Sequence, residues 1–468
     1  MNRRVTGFAA VLAMLGVIYG ATQLAGPADV APAATVSHPA AVTSLTRVCP
    51  PAAPGGGQAH VAVTSVPSAG ASGGAVTLSP LAAAGAAAGG KAATPVTVPA
   101  PGQASLVTAP SPASATAIVA SGAMAEGLAA EQASGSGLST LRCADPASDL
   151  WFAGTGQAAG GTDIRLYLMN TDSLAASVSV TIVTDAGTVQ SNAETGITVA
   201  PGQTLQQSLT SIVRGSEVIG LNVHSSVGRV AAAVWESGTW LPETTAPSAS
   251  SVIPGLSAAS SAARLFIVVP GSVNAQVKIV ALTPQGRFKP FGAAPVSAPA
   301  GAASEFTLSS LGVGAAAIEL TSNVPVSAAV LVPGSGLGAV TAAVPPLAEQ
   351  GVVAGNPAGA HGTTGVLLSA PNGQARARIA TVPAGTSSTV TVPAGHTVAA
   401  TVKAPGGRRG SYAIVVTPLA GSGPVYAARV VTNGTGLTSP VASILPVASA
   451  LTSIELPPVR GSYTAVQP

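Results

Sequence analysis

The sequence predicts an all-β protein: tandem immunoglobulin-like β-sandwich domains behind one N-terminal transmembrane or signal helix. Three observations predict it. Short runs of Val, Ile and Leu alternate with Ser, Thr and Lys, and turn residues interrupt them every ten positions or so. Three landmarks recur four times in the same order, with a period near 100 residues. An uncharged apolar stretch stands at the start, and the two cysteines bracket the first period.

Arg3 and Arg4 precede residues 5–25, which carry no charge and include Phe8, Leu12, Met14, Leu15, Val17 and Ile18. About 20 apolar residues cross a bilayer as a helix. Arginines at its start hold that end in the cytoplasm and send the rest of the chain outward. Residues 1–25 are therefore expected to be a signal anchor or a signal peptide. Cleavage at Ala31-Pro32-Ala33 would place a proline beside the cut and lies well past the apolar run, so the anchor is favoured. Either way the membrane is the first partner and the body of the chain is extracytoplasmic. Residues 26–45, rich in Ala and Pro, read as a flexible spacer.

Cys49 and Cys143 lie 94 positions apart with no metal-site spacing, and export to an oxidising compartment makes them an expected disulfide.

The first landmark is an apolar run closed by a turn glycine: Gly85, Gly187, Gly286 and Gly385, spaced 102, 99 and 99 apart. The second is a Pro/Ala turn ending at Gly102, Gly202, Gly301 and Gly395, spaced 100, 99 and 94. The third is an alanine-rich start at Leu128, Val230, Val326 and Val425, spaced 102, 96 and 99. Between landmarks, Val178, Val180 and Ile182 alternate with Ser179 and Thr181, which turns one set of side chains inward and the other to solvent. About 100 residues of short strands is the size of one immunoglobulin-like sandwich. Four units follow, at 46–148, 149–252, 260–347 and 362–460, with joints at 246–251 and 345–360 where Ser, Ala and Pro concentrate. The fourth has the shortest distance between its first two landmarks.

Composition excludes several function classes. The chain has 19 basic and 16 acidic residues in 468, for a net charge of +3, too little to hold nucleic acid. Gly70-Ala-Ser72-Gly-Gly74 fits GxSxG, but no strand-to-helix setting or partner histidine accompanies it, so no catalytic residue is assigned. The histidines at 38, 60, 224, 361 and 396 share no metal spacing. Asp145 and Asp149 stand at a joint where calcium is conceivable, yet turn chemistry accounts for most nearby acids, and no metal or cofactor is expected. Trp235 and Trp240 read mainly as packing residues. With Arg287 and Phe288 on a charged aromatic turn, they are the side chains that would touch a wall polymer if one binds.

The stretch from Trp151-Phe-Ala-Gly154 through Leu166-Tyr-Leu-Met-Asn170 and Thr184-Asp-Ala-Gly187 to Val199-Ala-Pro-Gly202 resembles the sandwich units of exported actinobacterial proteins. With Arg47-Val-Cys49 and Arg142-Cys143 it makes the whole chain similar to an actinobacterial secreted or membrane-anchored family of uncharacterised function. The matching motifs are structural. The expectation is a non-enzymatic extracytoplasmic envelope protein acting as scaffold, spacer or interaction module, with an envelope protein or wall polymer as partner. A cell-wall polysaccharide-binding protein is the alternative, and a divergent hydrolase the third reading.

Overall fold

Among the described residues between 37 and 456, every regular element is a β-strand. The computed structural model describes residues 13–14, 16, 37–66, 73–85, 94–96, 100–134, 139–156, 162–189, 195–257, 262–292, 294–308, 311, 314, 316–333, 338–358, 362–383, 385–406 and 410–456. Apart from Ala13, Met14 and Gly16, residues 1–25 lie outside these. So do Ala31-Pro32-Ala33, Ser72 and His361. Among the described residues no helix is long and apolar enough to cross a membrane.

The strands divide into two compact units. In the smaller, His38–Ala41 pairs antiparallel with Ser453–Leu456. The larger runs from Val42 to Thr452 and holds the other strands.

The larger unit opens with two four-stranded sheets. One sets Ser44–Cys49, Thr116–Gly122, Gly74–Pro80 and Thr94–Val96 side by side; the other sets Ser139–Arg142, Ala129–Ser134, Ala59–Thr64 and Ala104–Thr108. Counted along the chain, the strand orders are 1-6-3-4 and 8-7-2-5. The same two orders recur in strands between Asp149 and Leu241, between Ser248 and Ala342, and between Gly351 and Pro446. In the third set, positions six and seven are one strand, Ala316–Val332, which pairs in both layers and joins them into an eight-stranded sheet.

The alternation read in the sequence has its physical basis here. Val178, Val180 and Ile182 are buried and Thr181 exposed on Ala176–Thr184; on Ala275–Thr283, Val277 and Ile279 are buried and Lys278 exposed. The second landmark is a turn that needs left-handed backbone. Gly102, Gly202, Gly301 and Gly395 have φ of 78°, 66°, 62° and 77°, a region closed to most side chains. Each turn delivers the chain into the strand at position five.

Residues 248–251 and 351–358 of the segments read as joints lie in strands. Ser248–Leu256 and Gly351–Ala358 are edge strands whose ladders shift register beside Pro254-Gly255 and Ala354-Gly355. Edge strands tolerate such irregularity where central ones do not.

The sheet pairs do not stand apart. Trp235, Trp240 and Tyr167 of the second pack on Val48, Ala117 and Leu141 of the first. Phe266, Val268 and Val340 of the third enter the core of the second, and Leu367, Val430 and Ile444 of the fourth enter that of the third. Ala62 and Ala129 of the first then meet Val352, Ala354 and Val415 of the fourth. The contacts form a closed circuit, with each pair touching the next and the fourth returning to the first.

Candidate functional site

A cavity of about 240 Å³ lies where the four sheet pairs meet. Its walls come from stretches within 140–145, 240–245, 340–345 and 444–449, with Pro50, Phe152, Ala232 and Ala233 completing them. These stretches are the same element four times over, the eighth strand and the residues that follow it. Each also makes the same isolated bridge to the first strand of its own sheet pair: Ala144 to Val48, Thr244 to Trp151, Val344 to Val252 and Ser449 to Gly351. Equivalent positions can therefore be compared across the circuit. The positions of Arg142, Cys143, Pro242 and Glu243 correspond to Ala342, Ala343, Val447 and Ala448 on the far side. Among the described residues, charge enters the cavity from its first and second walls alone.

The deep wall is apolar. Phe152 and Leu241 are buried, and Trp240 is 5% exposed. Asp145, Glu243 and Pro345 reach solvent and mark the mouth. Arg142, at the end of Ser139–Arg142, lies between mouth and floor. It is partly open to the cavity but enclosed by protein, and its pKa is lowered by burial against the pull of Glu131 and Glu243. Among the described residues its guanidinium has no hydrogen-bond partner. A guanidinium carries five N–H donors, and that of Arg142 borders the cavity.

Arg142 belongs to a network of six charges. Glu131, on Ala129–Ser134, accepts the amides of Ala354 and Gly355 at 2.7 and 2.8 Å. Burial raises its pKa, opposed by Arg429 and by those two amides. Arg429, on Tyr426–Thr432, is 1% exposed; its guanidinium donates to Ser443 Oγ at 3.1 Å and to Thr140. Thr140 and Ser443 are themselves 3.0 Å apart, 303 residues distant in sequence. Arg47 is paired with Asp145 and lies 2% exposed; burial, with Arg142 beside it, lowers its pKa to about 9. Burial pushes the Glu243 carboxyl up to about 7, and Arg142 and Arg47 pull it back. Glu243 is exposed at the cleft mouth, with protein crowding its carboxyl from the cavity side. The arrangement offers one arginine free to bind, an acid near neutrality and an apolar floor.

The four side chains singled out in the sequence are divided. Trp235 and Trp240 come together edge to face, ring centres 5.1 Å apart, with Tyr167 5.7 Å from Trp240. They lie in the seam between the first and second sheet pairs, and only Trp240 borders the cavity. Arg287 and Phe288 occupy Gly286–Phe288, the edge strand of the third pair. Arg287 is spent inside the protein, on Glu319 at 2.5 Å and the Pro371 carbonyl at 2.6 Å, while Phe288 is 40% exposed. Cys49 and Cys143 are joined in a disulfide that ties the first strand of the first sheet pair to its last. Among the described residues no three His, Cys, Asp or Glu side chains gather in a way that could hold a metal.

Sequence reasoning missed Glu131, Arg142, Glu243 and Arg429. A signal for two of them exists. Glu131 and Arg429 each follow the alanine pair of the third landmark, where the second and third copies carry Ala233 and Val330. Opposite charges at the same position of the first and last copies are what an interface between those copies requires.

No curated protein and no solved structure matches the chain. A family of unknown function, DUF5719, matches residues 93–405. That span covers about two thirds of the 468 residues and includes Glu131, Arg142 and Glu243, with Arg47 and Arg429 beyond its ends. The chain belongs to this family.

Proposed function

We propose that the protein is a non-enzymatic component of an actinobacterial cell envelope, held at the outer face of the membrane by residues 1–25 and acting as a scaffold or interaction module. Its body is read as four immunoglobulin-like sandwiches copied from one building block. Their recurring strand order, shared turn glycines and period near 100 residues support that reading. In each, the first strand takes the place of strand G and the seventh that of strand A, an exchange of edges relative to the immunoglobulin order.

The observation that carries the proposal is the Cys49–Cys143 disulfide. Cytoplasmic thiols are kept reduced, whereas small exported β domains are commonly cross-linked. The apolar stretch at 5–25 behind two arginines agrees with it. Within the first unit the bond compensates for a core made largely of alanine and valine. The closed circuit favours a scaffold or interaction module over a spacer, because a spacer gains reach by keeping its units in line.

Blocking thiols in intact cells before lysis tests the proposal. Expected is a protein in the membrane fraction whose two cysteines react only after reduction, and which protease added to spheroplasts degrades. Thiols that react without reduction, or a protein in the cytosolic fraction, would contradict it. Wall-polysaccharide binding stays the second reading on the strength of the aromatic group at Trp235 and Trp240. Both rings are at most 7% exposed, which leaves little face for a sugar to stack on. Retention on purified wall that Trp235→Ala abolishes would favour it, and unchanged or absent retention would remove it.

A further inference from the structure

The cavity at the centre of the circuit has features that packing alone does not require. Four equivalent segments build it, and a closed assembly could fill such a centre with small apolar side chains such as Ala343, Val344 and Ala448. Instead, the first and second walls place Arg142, Asp145 and Glu243 there.

The acids around Arg142 are already committed. Glu131 is held by the Ala354 and Gly355 amides and faces Arg429, and Asp145 is paired with Arg47. Glu243 stands at the mouth, its charge weakened by burial. Three arginines, at 47, 142 and 429, thus face two fully engaged carboxylates and one that is near neutrality. Arg142 is the one of the three whose guanidinium has no hydrogen-bond partner among the described residues. The charged side chains of the lining are Arg142, Asp145 and Glu243; with Asp145 paired to Arg47, an anion entering the cavity would meet the unfilled donors of Arg142. The guanidinium fork matches the two oxygens of a carboxylate. Next to it stand the faces of Trp240, Leu241 and Ile444, which suit hydrocarbon. The size sets the scale: at about 240 Å³ the cavity lies just below the roughly 300–1,000 Å³ usual for small-molecule sites, which suits a small organic acid.

We infer that this cavity is a binding site for a small organic monocarboxylate, its carboxylate taken by Arg142 and its hydrocarbon part lying against Trp240, Leu241 and Ile444. Glu243 shapes the pH response. When ionised it competes with the ligand for Arg142, and when protonated it can donate a hydrogen bond to it. Binding therefore strengthens as pH falls through about 7, with Arg47, Arg142, Asp145 and Glu131 as the other charges in reach.

The test is calorimetric titration of the purified full-length chain at pH 6 with hexanoate, benzoate, hexanamide and inorganic phosphate. Expected is saturable one-to-one binding of at least one carboxylate, with hexanamide at least tenfold weaker than hexanoate and phosphate weaker than both acids. Arg142→Gln, with its thermal transition intact, should lose at least tenfold in carboxylate affinity. Glu243→Gln should gain at least threefold at pH 8 and lose the pH dependence. The inference is overturned if neither carboxylate binds or if hexanamide equals hexanoate. It is equally overturned by phosphate binding tighter than both acids, or by a folded Arg142→Gln that keeps full affinity. Should Arg142→Gln fail to fold, a Glu243→Gln protein with unchanged affinity at pH 8 overturns it.

Discussion

Glu236 ends the strand Ala231–Glu236 with its side chain 7% exposed and Oε2 lacking a partner. Burial raises its carboxyl to about 8, against a bond from the Thr155 amide and the charge of Arg264. Unfolded, the same group titrates near 4.5. Below 4.5 both states are protonated. Between about 4.5 and about 8 the folded state keeps a proton that the unfolded state has lost, so stability falls with rising pH across that window and levels off above it. Melting temperatures recorded from pH 4.5 to 9 should show this decline in the wild type and a flatter profile for Glu236→Gln. Glu131 and Arg429 make a different kind of pair, both fully enclosed and facing each other across the seam between the first and fourth sheet pairs. Removing either alone leaves a buried charge without its counterpart, which costs on the order of 3–5 kcal/mol. Urea unfolding of Glu131→Ala, Arg429→Ala and the double variant should give a double-variant loss well below the sum of the singles. Additive losses would mean that the two charges do not interact.

At the scale of strands and turns, the alternation on Ala176–Thr184 and Ala275–Thr283 was legible, because one buried face imposes a period of two on the sequence. The turn glycines were legible because left-handed backbone admits few other residues. Residues 248–251 and 351–358, within the segments read as joints, belong to the edge strands Ser248–Leu256 and Gly351–Ala358. Their Pro, Ser and Gly are loop residues by composition, yet here they form register shifts where another sheet pair approaches closely. Gly255 has φ of 104°, and a Cβ there would lie 2.8 Å from Ile444 and 2.9 Å from Ala428. Gly255→Ala should therefore destabilise the protein by about 1–3 kcal/mol through backbone strain, with added cost from the seam. Chemical denaturation measures it, and a loss below about half a kcal/mol would show that the seam yields.

For the molecule as a whole, period and composition indicate how many times a motif recurs but not which surfaces of the copies meet. That depends on contacts hundreds of residues apart, such as Thr140 with Ser443. The cavity and its charges arise from this closure, so nothing in the sequence brings Arg142 and Glu243 together. Closure also explains why so sparsely charged a chain gathers six of its charges in one place. Buried ion pairs add little net stability, but they disfavour wrong pairings among four similar surfaces that alanine and valine alone would not distinguish. Glu131 reports on closure most directly. Ala354 and Gly355 sit in the register shift between Val353 and Asn356, and their amides donate to Glu131 of the first sheet pair. Their protection against hydrogen exchange thus depends on the first and fourth pairs being in contact. Site-resolved exchange should find both amides as slow as those of the neighbouring core strand Gly410–Pro418, and fast in Glu131→Ala while that strand stays protected. Rapid exchange of Ala354 and Gly355 in the wild-type protein would contradict the closed circuit.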